Sequence, residues 1–276
     1  MLTRYRSKLN GVLSAEKNRL QKLLEAEGIK LSCVVSDIDG VSAAMMIEAI
    51  LEGKKPEQIV ELALGRLKNK KKELLEALRD YHLSDRSQFL LRGVVSHIKW
   101  IKGRLEEIDL QVVAAMKPYK EEWELLQTLP GIDIISAAML LAEMGVDMDQ
   151  FRNCNYLSSW AGMCPGNNES AGKRKSGKTR KGNKHIRRVL CEIANGAVKT
   201  NRQFKGLYQG LVIRRGRKRA IFAIGHKILK IAYALIKNKV PYKDPEIDYE
   251  AMLVKKNAPR WIKALTKYGY LSEVKG

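Results

Sequence analysis

The chain has 276 residues, 45% of them hydrophobic, with 51 Lys and Arg against 30 Asp and Glu for a formal net charge of +21. This hydrophobic content excludes a disordered polymer as the default, and no run of about 18 apolar residues is free of charge, which excludes an ordinary membrane span. The segment from Ser170 to Lys243 holds 22 basic residues and one acid, Glu192, whereas the rest of the chain holds 29 of each sign, so the whole net charge lies in one block and its expected partner is a polyanion, nucleic acid first.

The chain reads as helical almost throughout, and its length suits two domains. Leu9, Leu13, Leu20 and Leu24 recur at helical spacings and predict an amphipathic helix from about Arg4 to Glu27, closed by Gly28. Short helices are expected near Ser42–Glu52, from Pro56, and over Lys71–His82. Ser84 then has the character of an N-cap for a long helix. In that helix Val94, Ile98, Ile101, Leu105, Ile108 and Val112 repeat 4-3-4-3-4, a heptad seam. It suits packing within the chain, against the first helix, or a coiled coil between copies, with the last slightly favoured. Lys117-Pro118 ends this region.

The segment EEWELLQTLPGIDIISAAMLLAEMG predicts a helix, a Leu129-Pro130-Gly131 turn and a second helix closed by Gly145. It resembles a helix-hairpin-helix, in which Gly131 and Ile132 would offer backbone N–H groups to a phosphate. Asp133 stands where such hairpins have a second glycine, so a plain helical hairpin is an equal alternative. A short helix at Tyr156–Trp160 leads into an exposed loop, AGMCPGNNESAGKRKSGKTRKGNKH. A helix from Asn183 follows, with Ile186, Val189, Leu190 and Ile193 on one face and Lys184, Arg187 and Arg188 on the other. A basic turn, Arg214 to Arg219, precedes an apolar helix through Ile236. The tail alternates aromatic and basic residues and is expected to wrap the core or meet nucleic acid.

Gly172 to Thr179 spells GKRKSGKT and satisfies the phosphate-loop pattern G-x-x-x-x-G-K-[ST]. No apolar strand precedes it, Gly182 interrupts any helix after it, and no Asp occurs between Asp149 and Asp244, so nucleotide hydrolysis is the weakest reading. Ser170 is the alternative. A serine attacks phosphorus only where positive charge stabilises its alkoxide and the transition state, and Lys173, Arg174 and Lys175 follow it directly. Ser176 is an equally exposed competitor. Lys178, Arg180, Lys181, Lys184, Arg187, Arg188, Arg214 and Arg215 would extend the grip on DNA or RNA. Cys33, Cys154, Cys164 and Cys191 have no paired spacing and read as free thiols in a reducing compartment, without zinc. The N-terminus lacks a secretory core segment.

SSWAGMCPGNNESAGKRKSGKTRKGNKHIRRVL, the LPGID hairpin, and the DYEAMLVKKNAPRWIKALTKYGY tail together resemble the IS-one-ten family of insertion-sequence transposases. The resemblance implies a mainly all-α chain: a helical linker and coiled coil over 1–117, a compact transposase domain over 118–243, and an aromatic and basic tail over 244–276. It also implies DNA transposition with Ser170 as the catalytic nucleophile, a structured guide RNA as partner, and homo-oligomers through the coiled coil. A prokaryotic cytoplasm, at the nucleoid, is the expected location. The family adds a resolvase-like domain with a DEDD set of carboxylates holding Mg²⁺. The resemblance starts after that domain, so the expectation is a chain without its own metal site and inactive in recombination alone, or one that regulates a full-length transposase.

Overall fold

A computed structural model describes residues 1–79, 81–166, 168–177, 179–244 and 249–271. The architecture is mainly all-α, with one two-stranded hairpin among the described residues. The chain divides into two compact units, Met1–Gln111 and Val112–Gly276.

The first unit is built on two long helices, α1 (Leu2–Ala26) and α5 (Asp85–Ala115). Three ties set them antiparallel. Arg6 donates to Asp109 through Nη2 (2.9 Å), His97 lies 3.4 Å from Glu16, and the Glu27 carboxylate accepts from the Ser84 amide (2.9 Å) and the Ser87 hydroxyl (2.6 Å). These serine donors hold the Glu27 carboxyl below the usual carboxylate range. Ser84 caps α5 as its position predicted, its Oγ accepting from the Ser87 amide at 3.3 Å. The heptad residues Val94, Ile98, Ile101, Leu105 and Ile108 are all buried, and Val94 and Ile98 share a core with Leu20 and Leu24 of α1. The seam is therefore covered within the chain, by the antiparallel partner that the sequence allowed. It is not the surface that a second copy would meet, because burying it against α1 leaves no apolar area there to give up.

Three short helices fill the space beside this pair: α2 (Val41–Leu51), α3 (Pro56–Val60) and α4 (Lys71–Ala77). Their core residues Met46, Ile50, Ile59 and Leu74 have no measurable exposure, and each such side chain contributes about 1.5–3 kcal/mol through burial. α4 stops at Ala77, short of His82, where the Ala77 carbonyl accepts the Lys30 amide (3.0 Å). Asp39 is nearly buried between Lys17 (2.9 Å) and Lys102 (2.6 Å) and ties the α1–α2 connection to α5. Burial alone would raise its pKa, but the hydrogen bonds and charge of the two lysines outweigh that and hold the carboxyl below its usual range.

The second unit begins with α6 (Lys120–Gln127) and α7 (Ile134–Met144), followed by α8 (Cys154–Trp160). A β-hairpin, β1 (Asn168–Ser170) and β2 (Lys173–Ser176), occupies the middle of the stretch expected to be loop. Then come α9 (Lys184–Thr200), α10 (Arg202–Arg215) and α11 (Arg217–Asn238), which pack mutually, and α12 (Tyr249–Lys267), which lies on α10. Two of these helices, α10 and α12, are not apparent from the sequence pattern.

The mutual direction of α9 and α11 follows from their contacts. A Cβ on Gly225 of α11 would meet the Leu190 carbonyl of α9 at 3.2 Å. Beyond α11, Tyr242 donates to Gln203 (2.6 Å), and Asp244 accepts from Asn201 (2.7 Å), just past the end of α9. The two helices thus run parallel, with α10 returning between them. At about 1.5 Å per residue, their first turns lie within roughly one helical turn of each other along the bundle.

Candidate nucleic-acid interface

That shared end of the bundle is where the charge collects. It holds the stem of the hairpin, the first turn of α9 with Lys184, Arg187 and Arg188, and the α10–α11 corner from Arg214 to Arg219. Lys173, Arg180, Lys181, Lys184 and all five cations of the corner are exposed. Among the described residues, none of these nine side chains is in an ion pair. Only Arg188 is, with Glu192 at 3.0 Å on the solvent-exposed face of α9, where such a pair is worth little.

Elementary electrostatics makes the corner unfavourable as it stands. α11 starts at Gly216, which supplies no side-chain cap, and Arg217, Lys218 and Arg219 occupy its first turn. Cations there oppose the helix dipole and one another, and the free N–H groups have no acceptor side chain. A phosphate placed at this end relieves both penalties at once. α9 differs only in its cap, since Asn183 accepts from the amides of His185 (2.9 Å) and Ile186 (3.3 Å). Asn183 is in turn fixed by donating to Glu143 of α7 (2.6 Å).

The hairpin projects from this end through a crowded stem. Pro165 and Thr179 form an isolated bridge, and closer to the bundle the backbones at Gly162 and Gly182 cross. A Cβ on Gly182 would sit 2.6 Å from the Ala161 carbonyl carbon and from the Gly162 Cα, and one on Gly162 would sit 2.9 Å from Gly182. At the other end Ser170 pairs with Lys173 across the two-residue turn Ala171-Gly172. Both central residues have positive φ, 51° and 73°, the signature of the type I′ turn that matches the twist of a hairpin. Ala171 adopts this left-handed conformation at a cost of about 1–2 kcal/mol, which glycine would not bear. Ser170 is exposed at the closing pair, and the register sets Glu169 opposite Arg174. Lys175 and Ser176 continue β2, while Lys178 lies outside the described residues.

Two expectations from the sequence take a different form. Gly172 turns the hairpin and Lys173 begins a strand, and no helix opens at Thr179, since α9 starts at Lys184. The phosphate-loop reading of Gly172–Thr179 therefore lacks the strand–loop–helix geometry on which it depends. At the α6–α7 turn, Leu129 accepts the Ile132 amide (3.1 Å), Ile132 is buried, and a Cβ on Gly131 would meet the Ile193 carbonyl and Ala197 nitrogen of α9 at 2.6 Å. Asp133 caps α7 with its own carboxylate, accepting from the Ser136 amide at 2.7 Å. The turn is thus committed to packing α7 on α9, with a negative charge where a phosphate would have to sit.

Burial pushes the Cys191 thiol pKa up, aided by Glu192, which disfavours its thiolate form. Among the described residues no three His, Cys, Asp or Glu side chains are grouped to hold a metal ion, and no helix is long and apolar enough to cross a membrane. Arg217, Lys218 and Arg219, expected in a basic turn ahead of the apolar helix, stand instead in the uncapped first turn of α11 itself.

The hairpin and the first turn of α9, though not the α10–α11 corner, fall within a region that resembles a known family. The model of the transposase IS116/IS110/IS902 family matches residues 123–209, from α6 into α10. The transposase for insertion sequence element IS1111A of Coxiella burnetii (strain RSA 493 / Nine Mile phase I) is 30% identical over 146 residues, covering 51% of this chain and 39% of that protein's length. The match thus spans about two fifths of the curated relative. Over residues 123–209, about a third of its length, the chain is thus similar to transposases of the IS116/IS110/IS902 family.

Proposed function

We propose that this chain binds DNA at the cationic end of its second unit and acts in DNA transposition, with Ser170 as the group that attacks a phosphodiester. The observation that carries this reading is the exposed Ser170 at the closing pair of a hairpin turn, opposite Lys173, on a stem rooted among unpaired cations. In the reaction the Ser170 Oγ–P bond forms as a P–O bond to the sugar breaks. The serine proton passes to solvent, and the departing sugar oxygen takes one up. Lys173 is placed to offset charge on the phosphoryl oxygens. Mg²⁺ would be held by the carboxylates of a resolvase-like segment, and a structured guide RNA would share the cationic surface. A non-catalytic module regulating a transposase is the second reading.

The test is a covalent protein–DNA adduct, trapped on denaturing gels after incubation of the full chain with duplex DNA and a resolvase-like segment. Ser170→Ala abolishes the adduct while DNA affinity stays within about two-fold, and Ser176→Ala leaves both intact. Loss on Ser176→Ala alone would move the nucleophile. DNA binding without any adduct would favour the regulatory module.

Self-association is proposed through a second face of α5. Phe89, Trp100 and Leu110 are 77%, 59% and 71% exposed, and Gly93 and Gly103 lie between them with open space around their Cα atoms. The order apolar–Gly–Trp–Gly–apolar reads nearly the same in both directions, as an antiparallel, two-fold contact with a second α5 requires. Trp100→Glu is expected to shift the chain to monomer in sedimentation, with unchanged helicity. A wild-type chain that stays monomeric at high concentration would refute this contact.

A further inference from the structure

The outward face of α8 carries an aromatic pair that the cationic reading does not use. Tyr156 and Trp160 stand one turn apart and are 52% and 42% exposed. Phe151 braces the Trp160 ring from behind, with centroids 5.8 Å apart at an interplanar angle of 56°. The brace is itself fixed, because the Phe151 carbonyl accepts from Tyr233 of α11 at 3.2 Å. Asn155 and Ser159, also exposed, flank the pair with hydrogen-bonding groups, and Arg152 precedes it.

α8 is held to its unit on the opposite side, through the buried Leu157 and Ser158, and the outer part of the braced indole stays open to solvent. The surroundings indicate what covers it. Two residues beyond Trp160 the chain reaches Gly162, where the position of a Cβ lies 3.0 Å from the Arg180 carbonyl oxygen. The exposed Arg180 and Lys181 thus lie at the C-terminal end of α8, close in the fold to Trp160. A flat π-surface, amide and hydroxyl groups at its edge, and cations on one side are what a base on a phosphodiester chain requires. The base stacks, its edge finds donors and acceptors, and its phosphates meet the cations.

We infer that the Tyr156–Trp160 face of α8 is a stacking platform for unpaired bases of a DNA strand whose backbone runs onto the cationic end. This rests on the DNA-binding reading above and adds a distinction between paired and unpaired DNA that charge alone does not make. A duplex offers phosphates but no free base faces, whereas an opened strand offers both.

The experiment uses the full chain and three 20-nucleotide probes: single-stranded DNA, the same strand with abasic sites throughout its centre, and a blunt duplex. Wild type is expected to bind the base-bearing strand about ten-fold tighter than the abasic one, in line with roughly 1–3 kcal/mol per stacked base. Trp160→Ala and, separately, Tyr156→Ala remove most of that ratio and leave duplex affinity within about two-fold. Trp160→Phe keeps at least half of it. Because Trp160 touches Phe151, Tyr156→Ala decides the case if Trp160→Ala misfolds. Equal affinity of wild type for base-bearing and abasic strands overturns the platform while leaving duplex binding in place. An RNA strand bound more tightly than DNA, with the same Trp160 dependence, overturns the choice of DNA. Failure to bind any of the three probes overturns both the platform and the DNA-binding reading.

Discussion

Gly182→Ala is expected to destabilise the second unit by about 3 kcal/mol and to abolish the covalent adduct proposed for Ser170. Packing an extra methyl into filled space usually costs about 1–3 kcal/mol, because neighbouring side chains can give way. Here the obstacles are backbone atoms of Ala161 and Gly162, 2.6 Å from the new carbon, and they cannot rotate aside. Either α8 moves off the bundle, losing the burial of Leu157 and Met163, or the hairpin stem swings outward and carries Ser170 away from the α9 and α11 first turns. In a thermal melt the loss corresponds to a fall of about 10 °C in the transition of the second unit. Gly172→Ala is the control. That glycine, unlike Gly182, has positive φ, 73°, but its Cβ would meet nothing within 4 Å, so only about 1 kcal/mol of left-handed strain is added. If Gly182→Ala melts like wild type and still forms the adduct, the crossing does not position the hairpin.

This contrast shows which parts of the molecule could be read in advance. Local signals carried far. Ser84, Asn183 and Gly145 mark the helix ends they were expected to mark, because a cap acts within a few residues of itself. The heptad repeat of α5 was equally plain, since burial imposes its period on the sequence whatever the partner is. Which partner covers the seam was not legible, because periodicity describes one face and not its neighbour. α10 left little trace: Gly206 and Gly210 interrupt its apolar pattern, and its anchor is the single fully buried Phe204. The hairpin was hidden for a related reason. Its strands are three and four residues long, and Ala171-Gly172 is not one of the strong type I′ dipeptides.

Gly131 shows the limit most clearly. Leu129-Pro130-Gly131-Ile132 spells a tight turn, and the turn is there, with Gly131 at φ 85°. Whether that glycine admits a phosphate or another helix depends on α9, more than 50 residues later in the chain. A turn signal gives the conformation and leaves the occupant open. The same holds for the cationic block, whose charge pointed to nucleic acid. Only the parallel course of α9 and α11 brings three separate basic segments to one end.

The strongest consequence of that convergence concerns salt. Replacing Arg214, Arg215, Arg217 and Arg219 together by Gln is expected to weaken duplex binding about 10³-fold at 150 mM salt. Each phosphate neutralised contributes about 0.9 to the slope of log K against log[salt], so four lost contacts lower that slope by roughly 3.6. At this ionic strength the change amounts to about three decades. A structured RNA hairpin should suffer a similar loss, because both ligands present the same phosphates to the corner. The fold should survive and even gain. The substitution removes cations from the last turn of α10, where they suit the dipole, but also from the uncapped first turn of α11, where they oppose it. Reduced affinity therefore should accompany an unchanged or slightly raised melting temperature, a pairing that a merely misfolded variant cannot produce. A slope that stays within one unit of wild type would mean that these arginines face solvent in the complex and that nucleic acid lies elsewhere on the molecule.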